Sequence, residues 1–83
     1  MAENLTPLDE LKPGEKAIIR QFKTTGAQEE YLMELGLMIG TPVQLIKFAP
    51  LGDPIEIRLR HYYLSIRKSE AHSILVEKIK ETS

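Results

Sequence analysis

The chain has 83 residues, no cysteine, no tryptophan and a formal charge of −1; 42% of its residues are hydrophobic and 28% are charged. That length fits one domain, here residues 1–83, and leaves too little for a second, because domains commonly run to about 100–150 residues. The composition is globular, and the missing cysteines exclude a disulfide framework, a thiolate metal site and a cysteine nucleophile.

From the N-terminus, Thr6–Leu11 reads as one helical turn with Pro7 near its first position. Lys12-Pro13-Gly14-Glu15 is a turn, since proline presets φ and glycine accepts positive values. Lys16–Phe22 carries Ile18, Ile19 and Phe22 and reads as a strand whose imperfect alternation leaves its buried face open. From Ala27 the period changes. Ala27, Tyr31 and Leu35 recur every fourth residue with Leu32 beside them, and Gln28, Glu29, Glu30 and Glu34 lie opposite, which predicts an amphipathic helix over Ala27–Leu35. Thr25 with Gln28 fits a capping box, Glu29 and Glu30 sit near the positive end of the helix dipole, and Gly36 stops the helix.

After Gly40 the strand period returns. Val43 and Leu45 alternate with Gln44, and Ile46 and Phe48 then break the phase, which predicts a bend or bulge. Pro50–Pro54 is a loop. Ile55, Ile57 and Leu59 alternate with Glu56, Arg58 and Arg60 as in a half-buried antiparallel strand. His61 and Tyr62 form a hairpin turn, and Leu64 and Ile66 continue the alternation. Lys68–Ser73 is a helical turn with Ser69 as its cap, and Ile74–Ile79 is a last strand. The count is five short strands with one helix inserted between the first two. A mainly β, small SH3-like barrel is the economical fold, because closure removes exposed sheet edges.

The start, Met1-Ala2-Glu3-Asn4, lacks the cationic and apolar regions of a signal peptide, and no apolar run approaches the ~18 residues of a membrane span. A cytoplasmic protein without direct membrane insertion is expected. Residues 1–42 carry a net charge of −3 and residues 43–83 of +2, so neither half is basic enough for a dedicated nucleic-acid binder.

Nucleophilic catalysis needs a hydroxyl beside a histidine that a carboxylate orients. The histidines are His61 and His72, no nucleophile elbow is present, and neither GxxxxGK[ST] nor GxGxxG occurs, so no enzyme is expected. For a metal, His72 lies two residues from Glu70, and His61 can approach Glu56 or Asp53 across a hairpin. His61, His72 and Glu70 are therefore candidate ligands, although tetrahedral zinc sites cluster three or four donors more tightly. A hairpin-tip histidine and a solvent-facing one account for both without a metal. Arg58 and Arg60 share a strand face, with Arg67 alongside. Single-strand nucleic-acid grooves interleave such cations with stacking aromatics. Here the few aromatics have core or hairpin places, so a solvated face with ion pairs to Glu56 and Glu77 is expected. The same shortage argues against a groove for proline-rich peptides.

The anomaly is apolar. Leu37-Met38-Ile39 stands in a connection where polar residues are usual, and Leu51 stands in the proline loop. Leu37 and Ile39 can fold back onto the core, whereas Met38 and Leu51 are better placed to stay exposed and to mark a partner surface.

The ordered strings Leu11-Lys12-Pro13-Gly14-Glu15, Glu34-Leu35-Gly36-Leu37, Gly40-Thr41, Ala49-Pro50-Leu51-Gly52-Asp53-Pro54 and Leu64-Ser65-Ile66-Arg67-Lys68-Ser69-Glu70-Ala71 together resemble the ferrous iron transport protein A (FeoA) family, over nearly all of residues 5–79. The resemblance implies a cytoplasmic SH3-like barrel that accompanies FeoB, the membrane ferrous iron permease with a cytoplasmic G domain, as an accessory or regulator. It also implies similarity to the C-terminal SH3-like domain of iron-dependent repressors of the diphtheria toxin repressor type, and it brings transition-metal binding as a family attribute. Gln28, Glu29 and Glu30 stand where many members carry arginines, and His61 where relatives often have glycine. The leading expectation is an interaction module that contacts the transporter through Leu37, Met38, Leu51 and Tyr62. Fe2+ is then the transported ion, with no intrinsic cofactor. The alternatives are a metal-responsive domain using His61 and His72, and a GTPase-activating partner that supplies Arg58 or Arg60 to phosphoryl transfer.

Overall fold

The alternation of Ile55, Ile57 and Leu59 against Glu56, Arg58 and Arg60 places one apolar row on one side of a strand, and that row is buried. In the computed structural model, which describes residues 4–80, these three residues join a single apolar core with Ala17 and Ile19, Val43 and Leu45, and Ile74 and Val76. Each pair comes from one strand at period two, so the sheet turns one face to the core throughout. A fully buried Ile or Leu contributes roughly 1.5–3 kcal/mol.

The strands are β1 (Leu5–Pro7), β2 (Lys16–Phe22), β3 (Pro42–Phe48), β4 (Ile55–Arg58), β5 (Tyr63–Ile66) and β6 (Ile74–Lys78). All pairings are antiparallel, in the order β1-β6-β2-β3-β4-β5. The mainly β, SH3-like reading stands, with three corrections. There are six strands among the described residues, because Leu5–Pro7 pairs with β6 and only Leu8–Glu10 of the expected helical turn is helical, as one 3-10 turn. A three-residue strand carries no readable period; it forms because β6 offers an edge, where Pro7 is tolerated. The helix accordingly lies between the second and third strands. Finally, no ladder joins β1 to β5 among the described residues, so the sheet wraps the core without closing on itself.

The phase break at Ile46 is a bulge: the β3–β4 register shifts between Leu45 and Lys47. Lys47 is thereby turned outward to Glu56, 3.9 Å away, while Phe48 packs against the core. Before β2, the Glu15 carboxylate accepts the Lys12 backbone N–H at 2.7 Å and lies 3.7 Å from the Lys78 ammonium. The Lys12 N–H, and then Lys78, hold this carboxyl below the usual carboxylate range.

The helix α1 spans Ala27–Glu34. It starts at Gly26, φ +72°, without a side-chain cap, so the Thr25–Gln28 capping box does not form. Only Leu32 of α1 is fully buried; Ala27 and Tyr31 face solvent and Leu35 is half-buried. The second helix, α2 (Lys68–His72), is capped by Arg67 rather than Ser69: the Arg67 N–H donates to Glu70 Oε1 at 2.9 Å. Asp53 Oδ1 accepts the Lys68 N–H at 3.0 Å, which puts a carboxylate at the start of the helix and ties the proline loop to it.

Candidate functional site

The end of α1 decides which residues of the apolar connection face out. Gly36, φ +100°, takes the conformation that ends helices, its N–H donates to the Met33 carbonyl at 2.9 Å, and the Leu37 N–H donates to the Leu32 carbonyl at 3.1 Å. This bond pair is a Schellman motif, whose first residue beyond the glycine packs back on the last helical turn. Leu37 is accordingly fully buried, as is Leu32. Leu37 is thus core and is removed from the expected partner face.

The next four residues form a β-turn. The Thr41 N–H donates to the Met38 carbonyl at 3.0 Å, with Gly40 at φ +93° in the position where a type II turn needs it. Two further bonds pin the turn to β2: Gly40 N–H to the Ile19 carbonyl at 2.7 Å, and Ile19 N–H to the Thr41 carbonyl at 3.0 Å. Met38 and Ile39 occupy its outer corner, 49% and 61% exposed. Of the two residues that could fold back onto the core, Leu37 does and Ile39 does not, because bonds to Ile19 hold the turn's backbone on the surface.

Tyr62 stands across from this turn. Its hydroxyl donates to the Leu35 carbonyl at 2.6 Å, latching the β4–β5 turn to the end of α1, and a Cβ at Gly36 would overlap that hydroxyl. Met38, Ile39 and Tyr62 line one surface depression with Pro42, Leu59 and Arg60. Pro42, Leu59 and Arg60 also line a second depression, which continues to Arg58, Lys16 and Ile79. The two form one trough, apolar at the α1 end and cationic at the other, and neither is lined by Asp or Glu.

Of the expected contact residues, Met38 and Tyr62 meet in this trough. Leu51 is 97% exposed but lies in the β3–β4 loop. Register pairs Phe48 with Ile55 beside that loop and Gln44 with Arg58 at the trough, so Leu51 is at the far end of the hairpin. The sequence reading missed Arg60 as a wall of the apolar depression; the signal for it was its position one residue before the hairpin turn.

The candidate metal ligands do not converge. His61 lines the apolar depression, whereas His72 Nδ1 lies 3.2 Å from Asp9 Oδ1 at the other helix, and Glu70 accepts the Arg67 N–H. Among the described residues no three His, Asp or Glu side chains come together to hold a metal ion. A His–Asp pair supplies two donors where zinc takes three or four protein ligands, so the residues present do not fit such an ion. The expected ion pairs of Arg58 and Arg60 do not form among the described residues: Glu56 is taken by Lys47, and Glu77 by Arg20 at 2.8 Å. No helix among the described residues is long and apolar enough to cross a membrane.

The FeoA domain family matches residues 6–78 of this chain. A curated relative from Porphyromonas gingivalis, an Fe(2+) transport protein A/Fe(2+) transporter FeoB fusion protein, is 33% identical over 72 residues, which are 87% of this chain and 8% of that relative. Among solved structures, a FeoA-like protein from Clostridium acetobutylicum superposes with a TM-score of 0.87 at 36% identity, covering 100% of this chain and 95% of the other. FeoA from Stenotrophomonas maltophilia, described as an SH3 domain protein and solved with zinc, gives 0.72 at 26% identity, covering 84% and 87%. A manganese-dependent transcriptional repressor shares the fold at 10% identity, with a TM-score of 0.84 over 94% of this chain and 38% of that one.

Proposed function

This chain belongs to the FeoA domain family, a family associated with ferrous iron transport, and from that premise we propose that it is a cytoplasmic, non-enzymatic accessory of an FeoB-type transporter, docking on the transporter's cytoplasmic G domain. The observation that carries this reading is the apolar turn at Met38 and Ile39. Backbone bonds hold two large apolar side chains in water opposite the Tyr62 ring, and a rigid exposed apolar patch costs little further ordering when a partner covers it. The fusion relative supports the choice of partner, because a permanent covalent link suits two parts that work in contact. Iron is then the transporter's cargo rather than a ligand of this chain.

The test is binding of the wild-type protein and Met38→Asp to a full-length FeoB-type transporter in phosphatidylcholine nanodiscs, with empty nanodiscs as control. Met38 is half-exposed, so a carboxylate there leaves the fold intact, yet in a covered interface it is an unpaired buried charge. Binding is expected to fall by at least about tenfold, the scale of an interface anchor. Unchanged binding by a folded Met38→Asp variant would remove this surface from the reading.

A further inference from the structure

The cationic half of the trough is not needed for apolar docking, and among the described residues its two arginines have no carboxylate partner. Glu56, the outward carboxylate nearest in sequence, is engaged by Lys47. Arg58 sits opposite Gln44 on one neighbouring strand and Tyr63 on the other, neither of them acidic. Neither Arg58 nor Arg60 makes an ion pair or side-chain hydrogen bond among the described residues. Both arginines line the second depression together with Pro42, Leu59 and Ile79, and an apolar wall strengthens the field of a nearby charge. The first half of the chain carries the opposite sign, net −3, with Glu29, Glu30 and Glu34 on α1.

We infer that the trough takes a segment of the transporter that carries apolar side chains followed by carboxylates, with Met38, Ile39 and Tyr62 receiving the apolar part and Arg58 and Arg60 the acidic part. This inference rests on the proposed docking to the transporter and adds the chemistry and polarity of the docked segment. Arginine suits the role, since its planar fork grips a carboxylate through two parallel hydrogen bonds. The trough's apolar and cationic ends differ, so a segment with its apolar part before its carboxylates matches it in one direction along its length.

The experiment measures association rates and affinities for the same transporter nanodiscs at low and high salt, using wild-type protein, Met38→Asp, the double variant Arg58→Glu/Arg60→Glu and the charge-keeping Arg58→Lys/Arg60→Lys. The Glu variant is expected to bind at least about tenfold more weakly, mainly through slower association, and to lose most of the salt dependence; the Lys variant retains the salt dependence. Loss of binding in Met38→Asp with full, equally salt-dependent binding in the Glu variant would overturn this inference while the docking reading stands. No binding by the wild-type protein overturns both. If the protein instead self-associates through these arginines, shown by sedimentation that becomes monomeric in the Glu variant while transporter binding is unaffected, the occupant is a second copy and the inference fails.

Discussion

Replacing Gly36 by alanine combines two separable penalties at one atom. At φ +100° a side chain other than glycine's costs about 1–2 kcal/mol. The new Cβ also overlaps the Tyr62 hydroxyl, which must move off the Leu35 carbonyl, and a hydrogen bond of this kind is worth about 1 kcal/mol. The ring itself is half-exposed and can swing aside, so the clash costs the bond and little more. The sum is about 2–3 kcal/mol, a fall in Tm of roughly 10–20 °C for a domain of this size. Tyr62→Phe alone removes only the bond, about 1 kcal/mol. The two substitutions destroy the same hydrogen bond, so in the Gly36→Ala background Tyr62→Phe should cost almost nothing, a coupling of about 1 kcal/mol in a double-mutant cycle measured by urea unfolding. Equal costs for Tyr62→Phe in both backgrounds would refute the latch between the hairpin turn and the helix end.

Leu37→Ala, which empties a fully buried site, should lose about 2–5 kcal/mol in the same unfolding assay, whereas its neighbour Met38→Ala should lose less than about 1. Asp53→Ala removes the carboxylate that accepts the Lys68 N–H and should cost about 1 kcal/mol, with faster hydrogen exchange at the Lys68 amide. Glu15 has a folded carboxyl held below its unfolded range, so it stabilises the protein above the ordinary carboxylate region, about pH 4.3, and that contribution disappears as pH falls through the lower folded value. Glu15→Gln keeps an acceptor for Lys12 but not the charge; its stability should decline less on acidification below the ordinary carboxylate region, followed by circular dichroism, and an unchanged slope would exclude Glu15 as a contributor.

Much of the fold is legible along the chain because the main strands are patterned by one buried face. Ile55, Ile57 and Leu59 declare β4 by strict alternation, and the phase slip at Ile46 marks the bulge in β3. The glycine after Leu35 likewise marks the end of α1, where only a residue without Cβ fits. What fails is local capping. Thr25 and Ser69 have the right chemistry, but the observed caps are Gly26 and Arg67, one residue and two residues away from the expected ones. β1 is invisible because three residues carry no period and become a strand only when a neighbour's edge is open.

By itself the sequence determined a mainly β chain without thiolates, an apolar connection at 37–39 and an FeoA-type order of motifs. Which of those apolar residues face water was decided only by tertiary structure, since one Schellman motif sends Leu37 into the core and the bonds to Ile19 hold Met38 and Ile39 outside. The assembly of the trough is likewise a long-range fact. Met38, Arg58 and Tyr62 are brought to one surface by the β3–β4–β5 ladder and by a hydrogen bond between residues 27 apart in sequence, and no local pattern records such a pairing.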